Sequence, residues 1–108
     1  MSDDKLIRRR LAAKEKEIAS IQPEMDVRLR LTGTVIDASP NSVVIDDGTG
    51  KLEIFFEKNP MVRTGQLVRV ITRIIPMIEG FESRGEAVQN LDGFNIDLYK
   101  KAKEIANR

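Results

Sequence analysis

Two residue types that often carry chemistry are missing from this chain. Its 108 residues include no cysteine and no histidine, and only 5% of them are aromatic. Without cysteine, disulfides and thiolate metal sites are excluded. Without histidine, the commonest general base and the commonest transition-metal ligand are absent. We therefore expect a protein that is not an enzyme and that holds no metal.

Long apolar runs are missing as well. No stretch approaches the roughly 20 apolar residues that a membrane-spanning helix requires, and the charged N-terminus has no signal-peptide core. The hydrophobic content of 41% and the charged content of 32% are typical of a soluble globular protein. A length of 108 residues fits one domain with a modest core.

The stretch from Val43 to Phe56, VVIDDGTGKLEIFF, sets the class of structure. Side chains alternate in polarity on both sides of DDGTG, which is the pattern of two β-strands. The five central residues tolerate positive φ and suit a hairpin turn. A phosphate-binding loop would need a helix after Gly50, and a calcium loop would need further oxygen ligands at set spacing. We interpret the five residues as a turn and expect no bound cofactor.

Period-two patterns elsewhere predict three more strands. Residues 27–37 alternate around Gly33, and a glycine inside so long a strand indicates a bend where one strand serves two sheets. Residues 67–75 alternate again, residues 76–85 are predicted to form a loop or hairpin tip, and residues 86–92 a short fifth strand. Five strands, one of them long and bent, predict an all-β fold built on a small closed barrel.

The C-terminus changes to a helical period. Asn95 suits the N-cap position, and basic residues follow towards the end, as the helix dipole favours. The predicted helix has one narrow apolar face, which either caps its own barrel or forms an assembly surface. The pattern alone leaves both possibilities open. The residues of this face are Leu98, Tyr99, Ala102 and Ile105.

The N-terminal residues divide into two parts. Residues 1–17 carry a run of three arginines and are predicted to form a basic arm. Residues 18–25 are predicted to pack on the end of the barrel. The chain therefore divides into an arm at 1–17, a barrel at 18–92 and a C-terminal helix at 93–108.

Several motifs occur in the order and spacing of one known family. They are Ile18-x-x-Ile21-x-Pro23-x-Met25-x-Val27, LTGTV, IDDGTG and the closing EAVQNLDGFNIDLYKKAKEI. Over residues 15–108 the chain resembles an OB-fold subunit of archaeal replication protein A, most of all the small subunit of the heterotrimer. The resemblance implies a five-stranded OB-fold barrel followed by a C-terminal helix. It also implies a complex that binds single-stranded DNA in replication, repair and recombination.

The same resemblance implies partners and a location. Small subunits of this family hold the trimer together by packing their C-terminal helices side by side. The apolar face of the predicted helix would then be the subunit interface, and the partners would be other OB-fold subunits and single-stranded DNA. No small-molecule substrate and no membrane are implied, and the location would be cytoplasmic and nucleoid-associated.

The charge balance limits how strongly the barrel can bind phosphate. Residues 26–92 hold eight basic and ten acidic residues, a net charge of −2. Binding of single strands depends on phosphate neutralisation and on stacking of bases on aromatic rings. Phe55 stands out because its parity opposes that of Ile54, so its ring should project outward on the face that usually meets oligonucleotide. The predicted nucleic-acid contacts are Arg28, Arg30, Lys51, Phe55, Arg69, Arg73, Phe81 and Arg84.

Each of these contacts has an alternative interpretation. Phe55 also suits packing under a loop or against a partner, and Glu53 and Glu57 on its face would repel phosphate. The arginines either form a stripe or pair with neighbouring acids. Two classes of function therefore remain open: a mainly architectural subunit of a single-stranded DNA-binding complex, and an autonomous RNA-binding OB module. The terminal helix discriminates between them, because only the first needs its apolar face for partners.

Overall fold

The computed structural model describes residues 12–92 of the chain. No helix in this part is long and apolar enough to cross a membrane. The described elements are β1 (Lys14–Glu15), a 3-10 helix (Ile18–Ser20), β2 (Arg28–Ser39), β3 (Ser42–Asp46), β4 (Lys51–Phe55), β5 (Leu67–Pro76) and β6 (Phe81–Asn90).

Strands β2 to β6 close into a barrel. The sheet order runs β2, β3, β4, β6, β5, and β5 pairs back onto β2. All of these pairings are antiparallel except that of β4 with β6, which is parallel. The predicted five-stranded OB-type barrel is thereby confirmed. The two-residue strand β1 was not predicted, and it pairs in parallel with the beginning of β2 outside the barrel.

The long strand β2 belongs to both halves of the barrel, as its central glycine predicted. Residues 28–34 pair with β5, whereas residues 34–39 pair with β3, with a register shift between Val35 and Asp37. A Cβ atom at Gly33 would lie 2.8 Å from the carbonyl oxygen of Asp46. Only glycine lets the two backbones approach this closely at the bend.

The core lies inside the barrel and follows the predicted alternation. Inward positions of strands β2 to β5 are buried, except that Leu52 of β4 is half-buried, and the 3-10 helix contributes one residue at the barrel end. Val27 departs from the prediction, because it lies before β2 begins and is 45% exposed. The core residues are Ile18, Leu29, Leu31, Val35, Val43, Ile45, Ile54, Val68, Val70 and Ile74.

The hairpin between β5 and β6 is shorter than predicted. Residues 76–85 were expected to form a loop or hairpin tip, but β5 continues to Pro76 and β6 begins at Phe81. The turn closes over four residues because the Met77 N–H donates to the Gly80 carbonyl at 3.1 Å, with Gly80 at a φ of 72°. The expected loop positions of Phe81 and Arg84 are therefore wrong, since both residues lie in β6.

The DDGTG segment is a turn, and it also holds the N-terminal segment. The Asp47 carboxylate accepts hydrogen bonds from the Ile18 N–H at 2.8 Å and from the Thr49 hydroxyl at 2.6 Å. The Thr49 hydroxyl oxygen in turn accepts from the Ala19 N–H at 3.1 Å. Gly48 adopts a φ of 89°, the left-handed conformation that glycine tolerates. This anchoring role was not predicted from the sequence.

A buried carboxylate, that of Asp26, holds together the residues before β2. Asp26 accepts hydrogen bonds from Lys16 Nζ and from the Gln22 N–H, each at 2.7 Å. Burial alone would raise the pKa of Asp26, but these bonds and the neighbouring lysine charges lower it below 3.8. Ile21 packs against the core as predicted for this segment, whereas Met25 is 74% exposed.

Two predictions about the ends of the chain stay predictions. The C-terminal helix at 93–108, with its four-residue apolar face, lies outside the described residues. The division of the chain at residues 17 and 92 likewise stays a prediction.

We expect acid to destabilise the protein through Asp47. Burial raises the pKa of this carboxyl, but hydrogen bonds from Thr49, Ile18 and Gly50 outweigh burial and hold the pKa below 3.8. The unfolded chain therefore takes up the proton first. The stability that Asp47 contributes is complete above about pH 4 and is lost as the pH falls through its lower folded-state pKa.

The variant Asp47→Asn tests this directly. It should lower the free energy of unfolding by about 1–3 kcal/mol at neutral pH and weaken the dependence of stability on pH below about pH 4. Urea unfolding over a range of pH measures both quantities. Asp37→Asn, at an exposed carboxylate on β2, is the matched control. An equal loss in both variants would show that Asp47 is not a special anchor.

Candidate nucleic-acid interface

A groove of about 970 Å³ opens on the barrel surface along β4 and β6. The two strands pair at Phe55 and Arg84, where β4 ends, and a connector of residues 56–66 follows. The groove is lined by residues 55–60, by Glu82 and residues 84–88, and by Asn41 and Arg73.

Four predicted contact residues form one line across the outside of the barrel. Phe55 of β4 lies opposite Arg84 of β6, Arg84 lies opposite Arg73 of β5, and Arg73 lies opposite Arg28 of β2. Opposed residues of neighbouring strands point to the same face. We call these four residues the outer row. Phe55 is 42% exposed, and the arginine side chains are between 32% and 59% exposed.

Two carboxylates form ion pairs with the arginines of the outer row. Glu86 accepts a hydrogen bond from Arg28 Nε at 3.1 Å and lies 3.7 Å from Arg73 Nε. Glu82 lies 3.3 Å from Arg84 Nε. These contacts agree with the interpretation in which the arginines pair with neighbouring acids. They were not located by sequence reasoning, because Glu86 and Arg28 are 58 residues apart in the chain.

The other predicted contacts lie away from the groove. Arg30 and Arg69 point outward from β2 and β5, but both are half-buried and their Nε atoms are shielded from solvent. Lys51 is exposed at the opposite end of β4 from Phe55. Phe81 is half-buried and packs against the core. The predicted arginine stripe is thus divided. Arg28 and Arg73 belong to the outer row, whereas Arg30 and Arg69 lie away from the groove.

A close contact between Phe56 and Gly85 shapes the floor of the groove. A Cβ atom at Gly85 would overlap with the Phe56 ring, so the ring rests directly on the backbone of β6. Phe56 also packs against the core. Sequence reasoning missed this pair, although a glycine inside a strand is a signal of close approach by another group.

The groove combines an aromatic platform with balanced charge. Its cations are Lys58, Arg73 and Arg84, and its anions are Glu57, Glu82 and Glu86. An exposed ring beside guanidinium groups can stack a flat base and hold the adjacent phosphate. Balanced charge limits the sequence-independent attraction for a polyanion. No cluster of acidic residues suited to a metal ion occurs within residues 12–92.

Comparison with known proteins supports the fold assignment. No family model and no curated protein sequence matches the chain. Among solved structures, the telomere capping protein Ten1 from Saccharomyces pombe superimposes with a TM-score of 0.68 at 16% identity, covering 89% of this chain and 98% of that one. The second OB-fold domain of replication protein A from Methanococcus maripaludis gives a TM-score of 0.62 at 16% identity, with coverages of 73% and 96%.

A third similar structure is a multi-subunit complex. A chain of a replication protein A heterotrimer bound to single-stranded DNA gives a TM-score of 0.59 at 18% identity, covering 89% of this chain and 85% of that one. Identities this low establish a shared fold and nothing finer. The chain therefore has an OB fold, and its function has to be argued from its own residues.

Proposed function

We propose that this chain is a single-stranded DNA-binding OB module that works as a subunit of a replication protein A-like complex. The observation that carries the proposal is the outer row, in which an exposed phenylalanine lies in line with three arginines across four neighbouring strands. Three strand spacings give the row a length of about 14 Å.

The row suits a single strand better than a duplex. Bases of a single strand are free to stack on an aromatic ring, and Phe55 offers such a ring at the edge of the groove. Arg84 and Arg73 follow at the next two strands, where they can contact the phosphates on one side of the stacked base. In a duplex the bases are already stacked, and Phe55 would add little.

The low net charge of the barrel supports a subunit that contributes only part of a binding surface. With a charge of −2 over residues 26–92, few phosphates can be neutralised. We therefore assign the chain a mainly architectural role, with trimerisation through the predicted C-terminal helix and a minor share of DNA contact. The replication protein A heterotrimer of similar fold is consistent with such an assembly. Replication, repair and recombination, a non-enzymatic role and a nucleoid location belong to the same proposal.

The test is direct binding of single-stranded oligonucleotides. The isolated chain should bind weakly, and the logarithm of its affinity should fall with the logarithm of salt at a slope of about −2 or shallower, since each neutralised phosphate contributes about −0.7. Phe55→Ala should weaken binding by about 1–3 kcal/mol, or roughly 5- to 150-fold. Fluorescence anisotropy over a range of salt concentrations measures both quantities.

Ile36→Ala is the matched control for Phe55→Ala. Ile36 is 39% exposed on β2, close to the value for Phe55, but it does not line the groove. Its removal should leave affinity unchanged. Tight and steeply salt-dependent binding by the isolated chain would contradict the architectural assignment. Tighter binding of an RNA oligonucleotide of the same sequence would favour an RNA-binding module instead.

A further inference from the structure

We infer that Glu86 limits the affinity of the outer row by competing with nucleic-acid phosphate for Arg28 and Arg73. This inference rests on the proposed function of the groove. Arg28 and Arg73 are expected to strengthen the binding of nucleic acid, whereas Glu86 is expected to weaken it. Removing the Glu86 carboxylate should therefore raise the affinity.

The backbone of β6 places Glu86 beside the outer row, at a β-bulge. Thr72 of β5 pairs with Gly85, but the preceding Ile71 pairs with Ala87, so Glu86 is an extra residue without a partner in the register. By alternation along β6, Glu86 lies on the same outer face as Arg84, two residues earlier. The side chains of Glu86 and Ala87 are both exposed, although they are consecutive. The bulge turns Ala87 outward as well and leaves Glu86, unopposed in the register, on the face that carries Arg84 and Arg73.

The contacts of Glu86 engage two arginines at once. One carboxylate oxygen lies 3.1 Å from Arg28 Nη2, and the other accepts from Arg28 Nε at 3.1 Å. This second oxygen also lies 3.7 Å from Arg73 Nε. Carboxylate and phosphate oxygens accept hydrogen bonds from the same N–H groups of a guanidinium group. A phosphate can therefore bind these arginines fully only if it displaces the Glu86 carboxylate.

The electrostatic effect of Glu86 is local. Opposite charges 4 Å apart in water attract with about 1 kcal/mol, equivalent to roughly fivefold in affinity. Glu86 faces two guanidinium groups. Neutralising it should therefore increase the attraction between these arginines and phosphate more than neutralising a remote carboxylate would. Exposed ion pairs contribute little to folding, so the barrel should tolerate the change.

The experiment compares Glu86→Gln, Glu86→Asp and Glu24→Gln with the wild-type chain. Glu86→Gln should bind a single-stranded DNA oligonucleotide about three- to tenfold more tightly and with a steeper salt dependence, by about 0.7 for each additional phosphate neutralised. Glu86→Asp keeps the charge on a shorter side chain, so its gain in affinity should be clearly smaller than that of Glu86→Gln. Glu24→Gln makes the same change of net charge at an exposed residue outside the groove, and should leave affinity unchanged. Thermal unfolding verifies that each variant is folded.

The possible outcomes separate the inference from the proposal beneath it. If wild type binds and Glu86→Gln binds no more tightly, the competition is absent and the inference is overturned, while the proposed function stands. If Glu86→Asp gains as much affinity as Glu86→Gln, the negative charge is not the cause and the inference again fails. If neither wild type nor Glu86→Gln binds single-stranded DNA, the groove is not a nucleic-acid site, and the proposed function fails together with the inference.

Discussion

Replacing Gly33 with alanine is expected to lower the free energy of unfolding by about 1–3 kcal/mol, and valine should cost at least as much. The added Cβ would lie 2.8 Å from the Asp46 carbonyl oxygen and 3.3 Å from the Asp47 backbone nitrogen. Both are backbone atoms at the end of β3, so they cannot rotate away as a side chain could. The clash can therefore be relieved only if β2 and β3 move apart at the bend that closes the barrel.

Urea unfolding of Gly33→Ala and Thr34→Ala tests this prediction. Thr34 is the next residue of β2 and is exposed, so its variant places the same alanine side chain at the neighbouring position, where it faces solvent. A useful contrast is Gly85→Ala, where the obstructing atoms belong to the side chain of Phe56 and not to the backbone. If Gly33→Ala is as stable as wild type, the close approach of β2 and β3 does not set the closure of the barrel.

Alternation of polar and apolar residues was sufficient to predict the barrel strands, because each strand buries one face and exposes the other. The inward residues of β2 to β5 form the observed core, and the central glycine of β2 marked the bend. The beginning of β6 was missed because Gly85 and Ser83 occupy inward positions there. Glycine and serine are not the apolar residues by which a buried strand face is recognised.

The candidate site was predicted only in part, for a related reason. Phe55 was identified from its parity, which is a local property of one strand. The neighbours of Phe55 depend on the register between β4, β6 and β5, and the bulge at Glu86 changes that register by one residue. Ion pairs such as Arg28 with Glu86 join residues distant in the chain, so single-sequence periodicity carries no signal for them.

The largest effect on assembly is expected from aspartate at Leu98 and Ile105. On a helix these positions share one face with Ala102, and the small alanine between them suits close packing of helices at a shallow angle. If this face packs between subunits, each unpaired aspartate would bury a charge there at several kcal/mol. We therefore expect the double variant Leu98→Asp/Ile105→Asp to abolish assembly with partner OB-fold subunits.

Co-purification with the partner subunits, combined with thermal unfolding of the isolated chain, distinguishes the two roles of the helix. Loss of assembly with a cooperative and unchanged barrel transition is the expected result, because the barrel closes by pairing between β2 and β5. The control, Lys100→Asp/Lys103→Asp, adds negative charge to the opposite side of the predicted helix and should assemble normally. If the Leu98 and Ile105 double variant instead unfolds the barrel, the helix belongs to the domain core and is not the subunit interface.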